Sequence, residues 1–414
     1  MTALAEIDAS VFNPFLPDFI HDPFPVWDRL REEFPIAWAQ HMGLWVVSPH
    51  ALNFECTKHP ALSPSFRHWE KAPPEKTDAE KTDFDRMNDN SLFFVDLPQH
   101  TRLRRLTMPA FAKQVMRQIE ERIQDVIVEC FDRLGQPEEF DVYRDIATQI
   151  PVRAISRMVG VPKDAEDLFE HGLVHNLVLT GNPLLSPDQR AAAMEGTLPG
   201  FALLKELIAE RRGRADPGND FLGTLVGTVE DGDRLSDWDI ISLVSALIVA
   251  GADTVTDLHT LAINELLRHP DQHKLLLDRP ELTEAAILEI LRHGAPGKTG
   301  LYRFALQDVE IGGQPVRKGQ ALMLVNSAAW NDPKKWHEPR KFDITRPQDG
   351  NIIFGAGPHF CIGLNLVKAQ GSLMIKEFSK RFPNARLAGE IGYDYTHHNA
   401  RRINRLAVRT HPDA

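Results

Sequence analysis

Apolar residues recur along most of the chain at the i, i+3, i+4, i+7 spacing of amphipathic helices. This pattern predicts helices over 25–33, 99–112, 115–134, 143–159, 187–212, 237–268, 281–293 and 362–381. Strand-like pieces are short: Leu44–Val47, Tyr302–Ala305, Ala321–Val325, and two near 386–392 and 402–409. Segments 70–90 and 213–220 are rich in Pro, Gly and charge and read as loops. The pattern has no internal repeat and no linker, so it predicts one domain over 1–414, mainly α with a small β region.

One helix stands apart. Ser236 followed by Asp239 fits a capping box, and Pro270 marks the far end of the 237–268 segment. Its first half is apolar all round, which places it inside the protein rather than on its surface. The longest apolar stretch, Ile240–Ala252, is broken by Ser242 and Ser245 and falls short of the roughly 20 residues of a membrane span.

Composition narrows the function. The 414 residues are 43% hydrophobic with a formal net charge of −11, which disfavours non-specific binding to nucleic acid or anionic lipid. The N-terminus lacks the pattern of a signal peptide, so a cytoplasmic protein with no membrane anchor is expected. The three cysteines, Cys56, Cys130 and Cys361, are far apart and support neither a disulfide framework nor a zinc site.

Cys361 has the most informative surroundings: Phe354-Gly355-Ala356-Gly357-Pro358-His359-Phe360-Cys361-Ile362-Gly363, ahead of a predicted helix. A thiol ligates iron as thiolate, and a helix N-terminus favours that anion. Gly355 and Gly357 permit sharp backbone bends, Gly363 permits close approach of a flat group, Phe354 can shield the sulfur, and His359 can meet a carboxylate. A lone cysteine after a glycine turn is more often a small core residue. The agreement of the whole string argues otherwise.

The string resembles the FGxGxHxCxG haem signature of the cytochrome P450 family. In the long helix, Ala250-Gly251-Ala252-Asp253-Thr254 resembles that family's oxygen-activation element, although taken alone it reads more plainly as a packing glycine beside a polar face. Glu289-Ile290-Leu291-Arg292 resembles its ExxR pair, with Arg340 or Arg346 as possible third members in the 331–346 stretch. His100 and Arg104, one helical turn apart, and Arg303 on a strand match its propionate-binding positions.

The resemblance implies a triangular, mostly helical prism with haem b (iron protoporphyrin IX) buried between the helix of Asp253 and the helix after Cys361. Cys361 would be the axial ligand, Thr254 would hold iron-bound oxygen, and Asp253 would relay protons. The implied activity is monooxygenation of a hydrophobic small molecule by O2, hydroxylation first. Desaturation, epoxidation and oxidative coupling use the same residues. Electrons would come from a separate ferredoxin-type donor and its reductase. Arg102 and Arg105, off the His100–Arg104 face, would point outward and suit docking of an acidic carrier. By the same analogy Trp69, Phe93, Leu247, Gly297 and Lys298 fall in substrate-lining segments. Core packing explains Trp69 and Phe93 equally well, and a solvent-facing stem is the plainer reading of Lys298.

Overall fold

In a computed structural model, residues 4–182 and 185–411 are described. The contacts divide the chain into two compact units. The first comprises residues 1–75, 264–361 and 391–404; the second comprises 76–263, 362–390 and 405–414.

The first unit is built on a six-stranded mixed sheet. In spatial order its strands are Glu6–Ile7, Ile36–Ala39, Leu44–Val47, Ala321–Leu324, Leu301–Ala305 and Leu62–Ser63. Its central strands, Leu44–Val47 and Ala321–Leu324, are apolar at every position and buried at every position. Alternation along the pleat sends Leu44, Val46 and Met323 to one face, against Trp27 and Leu30 of the Phe24–Glu33 helix. Trp45, Val47, Leu322 and Leu324 go to the other. The antiparallel register sets Arg303 opposite Leu322.

The second unit is helical. Helices Lys113–Leu134, Gln149–Val159 and Leu364–Arg381 pack together beside a three-stranded sheet of Arg386–Leu387, Ala407–Arg409 and Glu139–Asp141. The long helix runs from Asp237 to Arg268. Its predicted capping box is present: Asp239 N donates to Ser236 Oγ at 3.1 Å and Ser236 N donates to Asp239 Oδ2 at 2.9 Å. This helix is long and apolar enough to cross a membrane by length and composition alone, yet 61% of its most apolar window is buried in protein.

Several elements differ from the sequence reading. The segment expected as one helix over 187–212 is two, Pro187–Gly196 and Leu198–Arg212. Pro199 has no N–H to donate to the Glu195 carbonyl, so the hydrogen-bond ladder is interrupted at Thr197 and Pro199 sits in the first turn of the second helix. The 70–90 loop contains a short helix, Asp83–Asp89, started by a Thr82–Asp85 capping box. Within the 143–159 segment, Tyr143–Ala147 is wound as a π-helix.

Candidate functional site

The cysteine loop belongs to the first unit up to Cys361. Gly355 and Gly357 have φ of +77° and +70°, the left-handed region that residues with a Cβ disfavour. At Gly357 a Cβ would also lie 2.9 Å from Lys58 Cγ. The turn folds back so that Cys361 N donates to Phe354 O at 3.0 Å, and Gly355 N donates to Ile352 O at 3.0 Å. Cys361 is half-buried, as are Phe354, His359 and Gly363. The helix itself begins at Leu364, three residues beyond the cysteine. The other two thiols are poor ligands. Burial pushes Cys56 up to about 12 and raises Cys130 above the ordinary thiol range.

Arg303 is 4% exposed, and its Nη1 donates to the Tyr302 carbonyl at 2.8 Å. No carboxylate lies within ion-pair distance of it among the described residues. Burial lowers the guanidinium's pKa, so the side chain is a desolvated cation in need of an anion. A carboxylate of a bound group would match that charge, and guanidinium geometry suits one. Beside it, Tyr302 is 41% exposed although burial raises its phenol, the behaviour of a ring lining a hollow.

In the second unit the long helix is open on one side between Ala246 and Thr254, where Val249 is also exposed. Leu247 and Gly251 are half-buried, while Ala250 and Thr254 are exposed. These four positions are i, i+3, i+4 and i+7 on one face, whereas Ile248, Ala252 and Val255 on the far side are buried. A strongly apolar core helix with a small-residue cradle on one face fits a flat apolar cofactor. Thr254 Oγ1 donates to the Ala250 carbonyl, which leaves the hydroxyl's lone pairs to accept hydrogen bonds on the open side. Asp253 is half-buried beside it. Gly251 also serves packing, since a Cβ there would stand 3.2 Å from Ile155 Cδ1.

His100 is buried on the helix Gln99–Thr107, and Arg104 is half-buried one turn later. Burial lowers the His100 pKa, Arg104 lowers it further, and Asp96 opposes both. The expectation for Arg102 and Arg105 is corrected by the structure. Arg102 holds Asp233 through two nitrogens, at 2.8 and 3.0 Å, and Asp239 at 3.2 Å. Arg105 pairs with Asp231 at 2.9 Å. Both arginines clamp the acidic hairpin Val229–Arg234 and are not a free basic patch.

The Glu289–Arg292 pair is buried, with both side chains 0% exposed. Arg292 Nε donates to Glu289 Oε2 at 2.7 Å and its Nη2 to Oε1 at 2.8 Å. Arg346 is the third member: its Nε donates to Glu289 Oε1 at 3.1 Å. Arg340 instead pairs with Asp28 at 2.9 Å.

Among the substrate-segment residues, Leu247 lies on the open side of the long helix and Phe93 is exposed against Phe94. Trp69 packs on the sheet's core beside Phe304. Gly297 N donates to Ser327 Oγ at 3.0 Å. Lys298 is not solvent-facing; it is buried completely. Its burial had no sequence signal, because charge and a polar neighbourhood both suggested solvent.

Comparison with known proteins agrees with this geometry. A family model described as Cytochrome P450 matches residues 184–383. The epothilone C/D epoxidase of Sorangium cellulosum is 31% identical over 409 residues, 97% of this chain and 95% of that protein. The vitamin D(3) 25-hydroxylase of Pseudonocardia autotrophica is 33% identical over 95% of this chain and 94% of its own length. Epothilone D-bound cytochrome P450epoK superimposes with a TM-score of 0.87 at 31% identity, over 97% of this chain and 99% of that one. The chain is a member of the cytochrome P450 family, whose enzymes are haem-dependent monooxygenases.

Proposed function

We propose that this enzyme inserts one oxygen atom of O2 into a hydrophobic small molecule, hydroxylating a C–H bond, with Cys361 as the thiolate ligand of non-covalent haem b. A haem–thiolate centre supplies electron density that favours O–O cleavage. The chain's own residues do the rest. Arg303, His100, Arg104 and His359 neutralise the propionates, which suits an acidic protein whose Arg303 has no carboxylate at ion-pair distance among the described residues. Phe354, Gly355 and Gly363 shape the thiolate loop, and Ala250 and Gly251 keep the open surface of the long helix low. Thr254 accepts hydrogen bonds at the oxygen site, and Asp253 moves protons to it from solvent. Glu289, Arg292 and Arg346 brace the fold under the loop.

The open, small-residue face bearing Thr254, on a helix wholly buried from Val255 to Leu266, carries this reading. The test is coupling: Thr254→Ala and Asp253→Asn should each lower product formed per reducing equivalent by about tenfold to a hundredfold while haem content stays normal. Full coupling in both variants would overturn the assignment.

Electrons come from a separate ferredoxin-type protein and its reductase, in the cytoplasm. The chain's three cysteines, two of them buried, fall short of the four thiolates of an iron–sulfur cluster. Similarity to a protein named an epoxidase favours one second reading, epoxidation of an alkene at the same site. Mass spectrometry of products separates the two.

A further inference from the structure

Lys298 presents a problem in burial. Its side chain is 0% exposed, and its Nζ has no hydrogen-bond partner. The main chain on either side is fixed. Lys298 N donates to Asn399 O at 2.9 Å, and Gly297 bridges Ala400. The side chain therefore cannot leave its place by a simple shift of the loop.

What Nζ does meet is the face of Phe15, 4.8 Å from the ring centroid. Asp394 acts on the ammonium only at a distance beyond an ion pair, and its Oδ1 accepts from Thr396 N at 2.8 Å, Thr396 Oγ1 at 2.7 Å and His397 N at 3.2 Å. Burial accordingly holds the Lys298 pKa below the usual lysine range. An unpaired buried cation is unfavourable for folding alone, and an apolar residue would fill the space better.

Phe15 is the movable neighbour. It sits on the turn before the short helix Pro17–His21, between buried Phe12 and buried Phe19, and is itself 38% exposed. Its partly exposed ring covers Nζ, and rotation of that ring toward solvent is the motion a ligand-accessible Nζ would need. Leu16 and Tyr395 are also exposed, and Tyr395 Oη meets His21 Nε2 at 2.5 Å.

We propose that Lys298 is the anion-recognition residue of a carboxylate subsite closed by Phe15, and that the enzyme's ligand is an amphipathic acid. This rests on the monooxygenase reading, in which residues 295–300 belong to the substrate site. One ammonium in apolar surroundings matches a single negative charge with an alkyl or ring body. A phosphate dianion would leave a buried charge unmatched.

The probes are dodecanoate and methyl dodecanoate, which differ only in that charge, in equilibrium dialysis with the haem-loaded protein. The wild type should bind the acid at least about tenfold more tightly than the ester. Lys298→Met, an apolar side chain of similar length, should bring the ratio to about one without weakening the ester. Phe15→Ala should tighten the acid alone, and it serves as the test should Lys298→Met not fold. Equal affinities in the wild type, or a preference that survives Lys298→Met, would overturn the proposal. The reduced carbonyl spectrum is recorded on the same samples. An intact thiolate spectrum with no acid preference removes the subsite only, whereas a wild type lacking that spectrum removes the monooxygenase reading.

Discussion

Replacing Glu289 with Gln isolates the charge at the centre of the buried triad. Its carboxylate accepts four N–H groups: Arg292 Nε at 2.7 Å, Arg292 Nη2 at 2.8 Å, Arg346 Nε at 3.1 Å and the Asp343 amide at 3.1 Å. Three of these fall on Oε1, so the glutamine oxygen takes that position and its NH2 faces Arg292 Nε, donor against donor. Two guanidiniums then share a buried site with no anion. Arg292 keeps Pro339 O at 2.9 Å and Arg346 keeps Lys341 O at 2.8 Å, but carbonyls do not neutralise charge. Removing one partner of a buried pair costs roughly 3–5 kcal/mol, against about 1 kcal/mol for an exposed pair. Because Gln preserves shape, the expected loss is about 3 kcal/mol, a large share of a total near 5–15 kcal/mol. Urea titration followed by tryptophan fluorescence and by haem absorbance measures it, provided the two transitions coincide. A loss within about 1 kcal/mol of wild type would refute the reasoning. Arg346→Met in a double-mutant cycle with Glu289→Gln should show coupling above about 1 kcal/mol.

Acid should weaken the second unit through His259, which burial pushes down to about 3 from 6.5. The unfolded chain takes up a proton near 6.5 that the folded chain refuses. Stability from this residue is therefore complete above 6.5 and is lost as pH falls toward about 3. His259→Phe should flatten urea stability against pH by up to about 1.4 kcal/mol per pH unit in that window; parallel curves would contradict this. Arg102→Glu should destabilise the protein by about 1–2 kcal/mol, since it sets a carboxylate against Asp233 and Asp239, and should do so less at high salt. A stability equal to wild type in urea would count against the clamp.

Much of this was legible in the chain. The Asp237–Arg268 helix matched its predicted bounds because a capping box, a continuous apolar face and a terminal proline all agree. The Leu44–Val47 strand matched because an all-apolar tetrapeptide suits a central strand. The break at Thr197 was also written there, in Gly196 and Pro199, but helical periodicity on both sides masked it. Helix His50–Lys58 was missed because its apolar residues make no stripe. At the candidate site, resemblance to family motifs singled out Cys361, Thr254, Glu289 and Arg303, and of these the structure shows Glu289 and Arg303 buried. Partner choice was not legible. Arg346 rather than Arg340 reaches Glu289 by tertiary approach across 57 residues. The acidic hairpin that captures Arg102 lies 131 residues away. The burial of Lys298 likewise depends on Phe15, which no local pattern connects to it.

The central claim is that Cys361 supplies the iron's thiolate, and the carbonyl complex of the reduced protein tests it most directly. Wild type, Cys56→Ala and Cys130→Ala should all give a thiolate-type carbonyl spectrum, and Cys361→His should lose it while still binding haem. A thiolate-type spectrum that persists in Cys361→His would contradict the account.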